Sequence, residues 1–192
     1  MSKGLITTLI IVGGILLFGF IFVMWGGGVR DNAVKLQENV DAEFSNVQAT
    51  YQRRADLIPN LVATVKGAAE NEKEILTRVT EARAGISSAR TPDELDRAGK
   101  QINSTIALAF EAYPQIRSTE NFQDLQSQLE GTENRINVAR QNYNESVRGY
   151  NSYIRGTFKR VALSIFGGAG EFEMKKGFQA AEGSENAPAV KF

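Results

Sequence analysis

The sequence predicts an all-α protein: one N-terminal transmembrane helix followed by an elongated antiparallel helical bundle with long helices. Three observations predict it. An uncharged run from Leu5 to Trp25 opens the chain. Beyond it, apolar residues recur every three or four positions, the period of a helix with one buried stripe. No stretch alternates β-branched or aromatic residues with polar ones, so strand signals are missing.

The opening run reads LITTLIIVGGILLFGFIFVMW. At about 1.5 Å per residue it spans roughly 30 Å, the thickness of a bilayer core. Trp25 closes it, where an interfacial aromatic belongs. The run is longer than the apolar core of a secretory signal, and no A-x-A-like cleavage site follows, so it reads as a retained anchor. The lipid bilayer is therefore the first expected partner, crossed once. Lys3 flanks the run on one side, and Arg30 and Lys35 on the other. That balance leaves the side occupied by the bulk domain undecided.

The expected division is residues 1–28 as anchor and joint, 29–156 as helical bundle and 157–192 as tail. Gly26, Gly27 and Gly28 read as a short flexible joint or a fraying helix end. The first long amphipathic pattern has Leu36, Val40, Phe44, Val47 and Tyr51 on its stripe, and resumes after Ile58 through Leu61, Val62, Val65, Leu76, Val79 and Ile86. From Asp31 to Ile86 this would extend roughly 80 Å if straight. Pro59 interrupts it. Proline has no N–H and clashes with the preceding turn, so a kink or break is expected near Leu57.

Thr91, Pro92, Asp93 and Glu94 form a capping-box signature: Thr91 caps, Pro92 takes the first helical position and Glu94 reaches back. This helix should stop before Pro114. Ser118 to Asn121 offers caps for the next, whose stripe is Phe122, Leu125, Leu129, Ile136, Ala139, Tyr143, Val147 and Tyr150, with a polar gap at Thr132. Short connections favour antiparallel neighbours. The tail is rich in glycine and carries Phe158, Phe166, Phe172 and Phe178. Exposed aromatics are costly, so these should dock on the bundle, a neighbouring subunit or the membrane interface.

Charge and composition narrow the chemistry. Lys plus Arg and Asp plus Glu both number 22, so there is no electrostatic footprint for nucleic acid. Cysteine and histidine are absent, which removes thiolate nucleophiles, the usual neutral-pH base and the usual transition-metal ligands. The chain is expected to be no enzyme and to hold no cofactor and no metal. Gly167-Gly168-Ala169-Gly170 lacks the spacing of a phosphate loop and reads as a turn.

Two polar clusters stand out. Arg53, Arg54, Asp56 and Asn60 surround the proline break, where freed carbonyls need donors. Asn134, Arg135, Arg140, Tyr143, Asn144, Tyr150 and Asn151 lie on the last long helix, with Tyr143-Asn144 repeated seven residues later. Both read as clusters that fix helix register, the second as an interhelical hydrogen-bond ladder. The functional alternative is a polar groove for a peptide or another helix.

These segments carry a family resemblance. RRADLIPNLVATVKG at Arg53 to Gly67, VTEARA at Val79 to Ala84, AYPQIRSTENFQDLQ at Ala112 to Gln126, TENRINVARQNYNESVRGYN at Thr132 to Asn151 and the ending APAVKF together resemble the LemA family. The resemblance implies a bacterial membrane protein whose soluble part is a bundle of long antiparallel helices. It implies no catalytic residue and no cofactor, so no site is carried over. Function is then expected to be that of a scaffold that self-associates as a homo-oligomer through its bundle and tail; the alternative is an adaptor that binds another protein along the bundle.

Overall fold

A computed structural model describes residues 3–59, 69–112, 120–168 and 170–179. Asn60, Leu61, Val62, Val65, Pro114, Ser118 and the APAVKF ending lie outside the described residues. The fold is all-α, with no strand among the described residues. It comprises α1 (Lys3–Ala55), α2 (Ala69–Ser88), α3 (Pro92–Ala112), α4 (Glu120–Arg155) and α5 (Thr157–Phe166).

α1 departs from the expected joint. Gly26, Gly27 and Gly28 are helical, and the helix passes through them without interruption. The reason is packing. A Cβ on Gly26 would lie 2.1 Å from Cε2 of Phe166, so this glycine admits an aromatic ring against the helix backbone. α1 ends at Ala55, Asp56 forms a turn and residues 57–59 return to helix. The Asp56 N–H still donates to the Gln52 carbonyl at 3.0 Å. Pro59 has no N–H to offer the carbonyl of Ala55, four residues back.

The chain forms two compact units, Met1–Asp41 with Ser146–Lys175, and Ala42–Glu145 with Lys176–Phe192. In the first, Val29, Ala33 and Val40 of α1 are buried with Val147, Tyr150 and Ile154 of α4 and with Ala162 and Leu163 of α5. The unit thus contains the apolar opening of the chain together with the start of the tail.

In the second unit, Val47, Tyr51, Ala55 and Ile58 form one buried stripe, and Ile75, Val79, Ala82 and Ile86 another. Leu95, Ala98, Ile102, Ile106 and Ala109 face them from α3, with Leu125, Leu129, Ile136 and Tyr143 from α4. Spacings of three and four place each set on one helix face. Helices α2 and α3 run antiparallel. Gly85 of α2 faces Ala98 of α3, whereas Glu81 meets Gln101.

Local signals explain the element ends. The capping box at α3 forms: the Glu94 N–H donates to Thr91 Oγ1 at 3.3 Å, and the Thr91 and Arg90 N–H groups donate to Glu94 Oε2 at 3.2 and 2.7 Å. Those amides, Arg90 first, hold the Glu94 carboxyl below its ordinary value. At the other end of the α2–α3 connection, the Gln48 amide donates to the carbonyls of Ile86 and Ala89 at 3.0 and 2.9 Å. A side chain of α1 thereby satisfies carbonyls freed by the end of α2.

Candidate functional site: the exposed apolar run and the clamped tail

The first unit holds the apolar run. From Ile6 to Trp25 every large apolar side chain except Phe22 is exposed. The run is long and apolar enough to cross a membrane by length and composition. It passes directly into the packed part of the same unit. Tyr153 donates its hydroxyl to the Val29 carbonyl at 3.2 Å, Tyr150 reaches Gln37 Oε1 at 3.5 Å and Arg30 pairs with Glu171 at 2.8 Å. Lys175 pairs with Asp41. Phe22 packs its ring against Phe166 with centroids 5.6 Å apart.

Glycine is required at two positions in the turn after α5: a Cβ on Gly167 would lie 2.5 Å from the Leu163 carbonyl oxygen. Gly170 has φ +77°, in the left-handed region. Glu171 closes this turn: the Gly168 N–H donates to Glu171 Oε2 at 2.7 Å, and the Glu171 N–H returns to the Gly168 carbonyl at 3.1 Å. The Gly168 amide first, and then Arg30, hold the Glu171 carboxyl below its ordinary value. The glycine run is thus a structural turn locked by a carboxylate.

The Tyr-Asn repeat on α4 does not bond mainly between helices; it grips the tail. In the first unit, Asn151 donates to the Lys175 carbonyl at 2.8 Å and accepts from the Lys175 N–H at 2.9 Å. In the second, Asn144 treats Phe178 the same way, at 3.0 and 2.7 Å. An asparagine amide offers the same donor and acceptor as a peptide unit, so it pairs with one residue's backbone on both sides. Tyr143 adds a bond to the Lys176 carbonyl at 3.0 Å.

Arg140 is the centre of the second unit's polar cluster. It pairs with Asp96 Oδ1 at 3.1 Å, donates to the Gln179 carbonyl at 2.9 Å and approaches the Tyr51 hydroxyl at 3.5 Å. Its guanidinium also lies 4.8 Å from the centroid of the Phe178 ring, which meets Tyr143 edge-on. Burial pushes the Asp96 carboxyl above its ordinary value despite Arg140, because the desolvation of a partly buried carboxylate outweighs the attraction. Burial likewise raises the Tyr51 hydroxyl. The Tyr51 ring is seated on Gly99, where a Cβ would fall 2.4 Å from it.

The remaining expected site residues divide as follows. Arg54 donates to the Leu129 carbonyl at 2.9 Å and pairs with Glu133 at 2.9 Å. Thr132, the polar gap of the stripe, is buried beside it and bonds the same carbonyl at 2.8 Å. Asp56 pairs with Arg83. Arg53, Asn134 and Arg135 are exposed and join neither cluster. Tyr143 and Tyr150 are buried, at 4% and 1% exposure, so the repeat presents no open groove. Of the tail aromatics, Phe178 docks on Tyr143, Phe166 on Phe22 and Phe172 near Gly167, whereas Phe158 is 78% exposed. The sequence reading missed Asp96, Glu171, Gln37 and the packing roles of Gly26 and Gly99.

Among the described residues no cluster of three or more Asp or Glu side chains is placed to hold a metal ion. The family profile of LemA matches residues 43–192. A curated relative, "Protein LemA" of Metamycoplasma hominis, is 23% identical over 142 residues, covering 72% of this chain. The matched part is 63% of that relative's length. The profile spans most of the chain, including both asparagine clamps and the Arg140 cluster, and the chain therefore belongs to the LemA family.

Proposed function

We propose that this chain is a membrane-anchored, non-enzymatic scaffold that self-associates through its helices. One observation carries the reading: the exposed apolar run continues, within a single helix, into residues packed by α4 and α5. An apolar surface of that length needs an apolar surrounding, and a bilayer supplies one along its whole length. An anchor joined to the packed unit by unbroken helix holds that unit at a fixed attitude to the membrane, as a structural element requires. Anchoring also concentrates copies in two dimensions, which favours lateral contacts between helical surfaces.

The adaptor reading loses support, because Tyr143 and Asn144, which would receive a partner, are engaged by the chain's own tail, and Tyr150 is buried and bonded to Gln37 of α1. Alkaline extraction of native membranes and intact mass test the anchor: the chain should stay with the lipid at full length. The particle mass in mild detergent, corrected for bound detergent, tests association. A discrete multiple of the chain is expected. A strictly monomeric particle at all concentrations would sink the scaffold reading.

A further inference from the structure

Outside the apolar run, six large apolar side chains are exposed among the described residues, and three of them lie on the ten-residue helix α5. They are Phe158, Val161 and Ile165. At 100° per residue these three fall within about 60° of one another, a single outward stripe. A different side of the same helix carries Ala162 and Leu163, buried in the first unit. α5 therefore has two apolar sides, one used and one not. Its remaining exposed flank carries Arg160.

The contacts of α5 fix its level along α1. Near its start, Lys159 lies over the Tyr153 ring at 3.9 Å, and Tyr153 is bonded to Val29. At its end, Phe166 packs on Phe22 and Gly26. Both ends are thus held between Phe22 and Val29, about 10 Å of helix rise centred near Trp25. That is where the apolar run stops. The headgroup zone beyond a bilayer's hydrocarbon is roughly 5 to 8 Å deep on each face.

We propose that α5 is an interfacial helix whose Phe158, Val161 and Ile165 stripe inserts into the phospholipid surface beside the anchor. The inference rests on the anchor reading above. The occupant is the bilayer, because the stripe is continuous in level with the surface that α1 would cross. Aromatic and aliphatic side chains beside arginine suit the boundary between headgroups and acyl chains.

The absence of cysteine and the presence of one tryptophan make a test direct. Single-cysteine variants Phe158→Cys, Ile165→Cys, Arg160→Cys and Ser152→Cys of the full chain are labelled with a polarity-sensitive dye. They are reconstituted in phosphatidylcholine/phosphatidylglycerol vesicles with and without lipids brominated near the headgroup end of the acyl chain. Labels at 158 and 165 should shift to the blue and lose most of their emission to brominated lipid; labels at 160 and 152 should do neither. Trp25 serves as the internal report on the anchor and should be quenched in every variant. Quenched Trp25 with unquenched labels at 158 and 165 overturns the interfacial helix and leaves the anchor standing. A blue shift that depends on protein concentration and ignores brominated lipid assigns the stripe to a second copy and also overturns it. Unquenched Trp25 removes the anchor, and the inference with it.

Discussion

Alanine substitution at the three consecutive glycines separates packing from flexibility. A joint would respond alike at Gly26, Gly27 and Gly28; the structure makes them unequal. A Cβ at Gly26 would stand 2.1, 2.4 and 2.7 Å from three atoms of the Phe166 ring, whereas at Gly27 and Gly28 it would meet nothing within 4 Å. Glycine inside a helix costs about 1 kcal/mol against alanine. Gly27→Ala and Gly28→Ala should each stabilise by about that much, raising Tm by about 2–4 °C in a chain of this size. Gly26→Ala gains the same propensity but forces the ring out, and overpacking costs about 1–3 kcal/mol. It should therefore fall below the other two by about 1–3 kcal/mol, with faster amide exchange confined to α5. Truncating the ring offers a check: in a Phe166→Ala background the Gly26→Ala deficit should vanish. Thermal unfolding in detergent with hydrogen exchange reads both. Equal behaviour of all three glycines, or a deficit that survives removal of the ring, would refute the packing account.

Other outcomes follow from the polar contacts. Asn144→Ala removes both the acceptor of the Phe178 N–H and the donor to its carbonyl, so the Phe178 amide should exchange about 5- to 150-fold faster, the equivalent of about 1–3 kcal/mol for an unsatisfied bond; unchanged protection would contradict the clamp. Arg140→Lys cannot serve Asp96, Gln179 and the Phe178 ring together and should cost about 1–3 kcal/mol by denaturant unfolding. For pH, Asp96 and Glu171 carry opposite signs. The folded-state pKa of Asp96 is raised, so its contribution is present below its ordinary value of 3.8 and is lost as pH rises through the folded value. The stability of the wild type relative to Asp96→Asn should therefore fall as the pH rises from below 3.8 through the folded value. The folded pKa of Glu171 is lowered, so its contribution is present above 4.5 and is lost as pH falls through the folded value. Protection of the Gly168 amide should then weaken on acidification, and Glu171→Ala, which removes the acceptor, should abolish it; protection that persists in Glu171→Ala would show that the side chain does not lock the turn.

The all-α architecture was legible because its signals are local and periodic. Heptad-like stripes, a capping box and an uncharged opening run need no knowledge of neighbours. What was not legible depends on contacts between residues far apart in sequence. A glycine triplet has the same composition whether it bends or packs, and only Phe166, some 140 residues away, decides that Gly26 packs. Gly99 under Tyr51 follows the same logic. The Tyr-Asn repeat was visible as a face of α4, and its polarity called for partners. A helix ladder is the expected partner; tail backbone is the observed partner of both asparagines, because an asparagine amide pairs with a peptide unit as well as with another side chain. Arg140 stands out in the sequence by its type and its place on the polar face of α4, but Asp96 carries no motif beyond its place in the first turn and a half of α3 and is identified only by contact.

The proposed anchoring rests on an apolar run joined to the folded part by unbroken helix. Paired spin labels at Leu17→Cys and Lys35→Cys in the full chain, reconstituted in lipid nanodiscs, measure that continuity across the three glycines. Eighteen helical residues separate the sites by five turns on one face, a rise of about 27 Å. A single narrow distance distribution near that value, broadened only by the label linkers, is the result the account predicts. A broad or divided distribution that narrows when Gly27 and Gly28 are replaced by alanine would contradict it and restore the flexible joint.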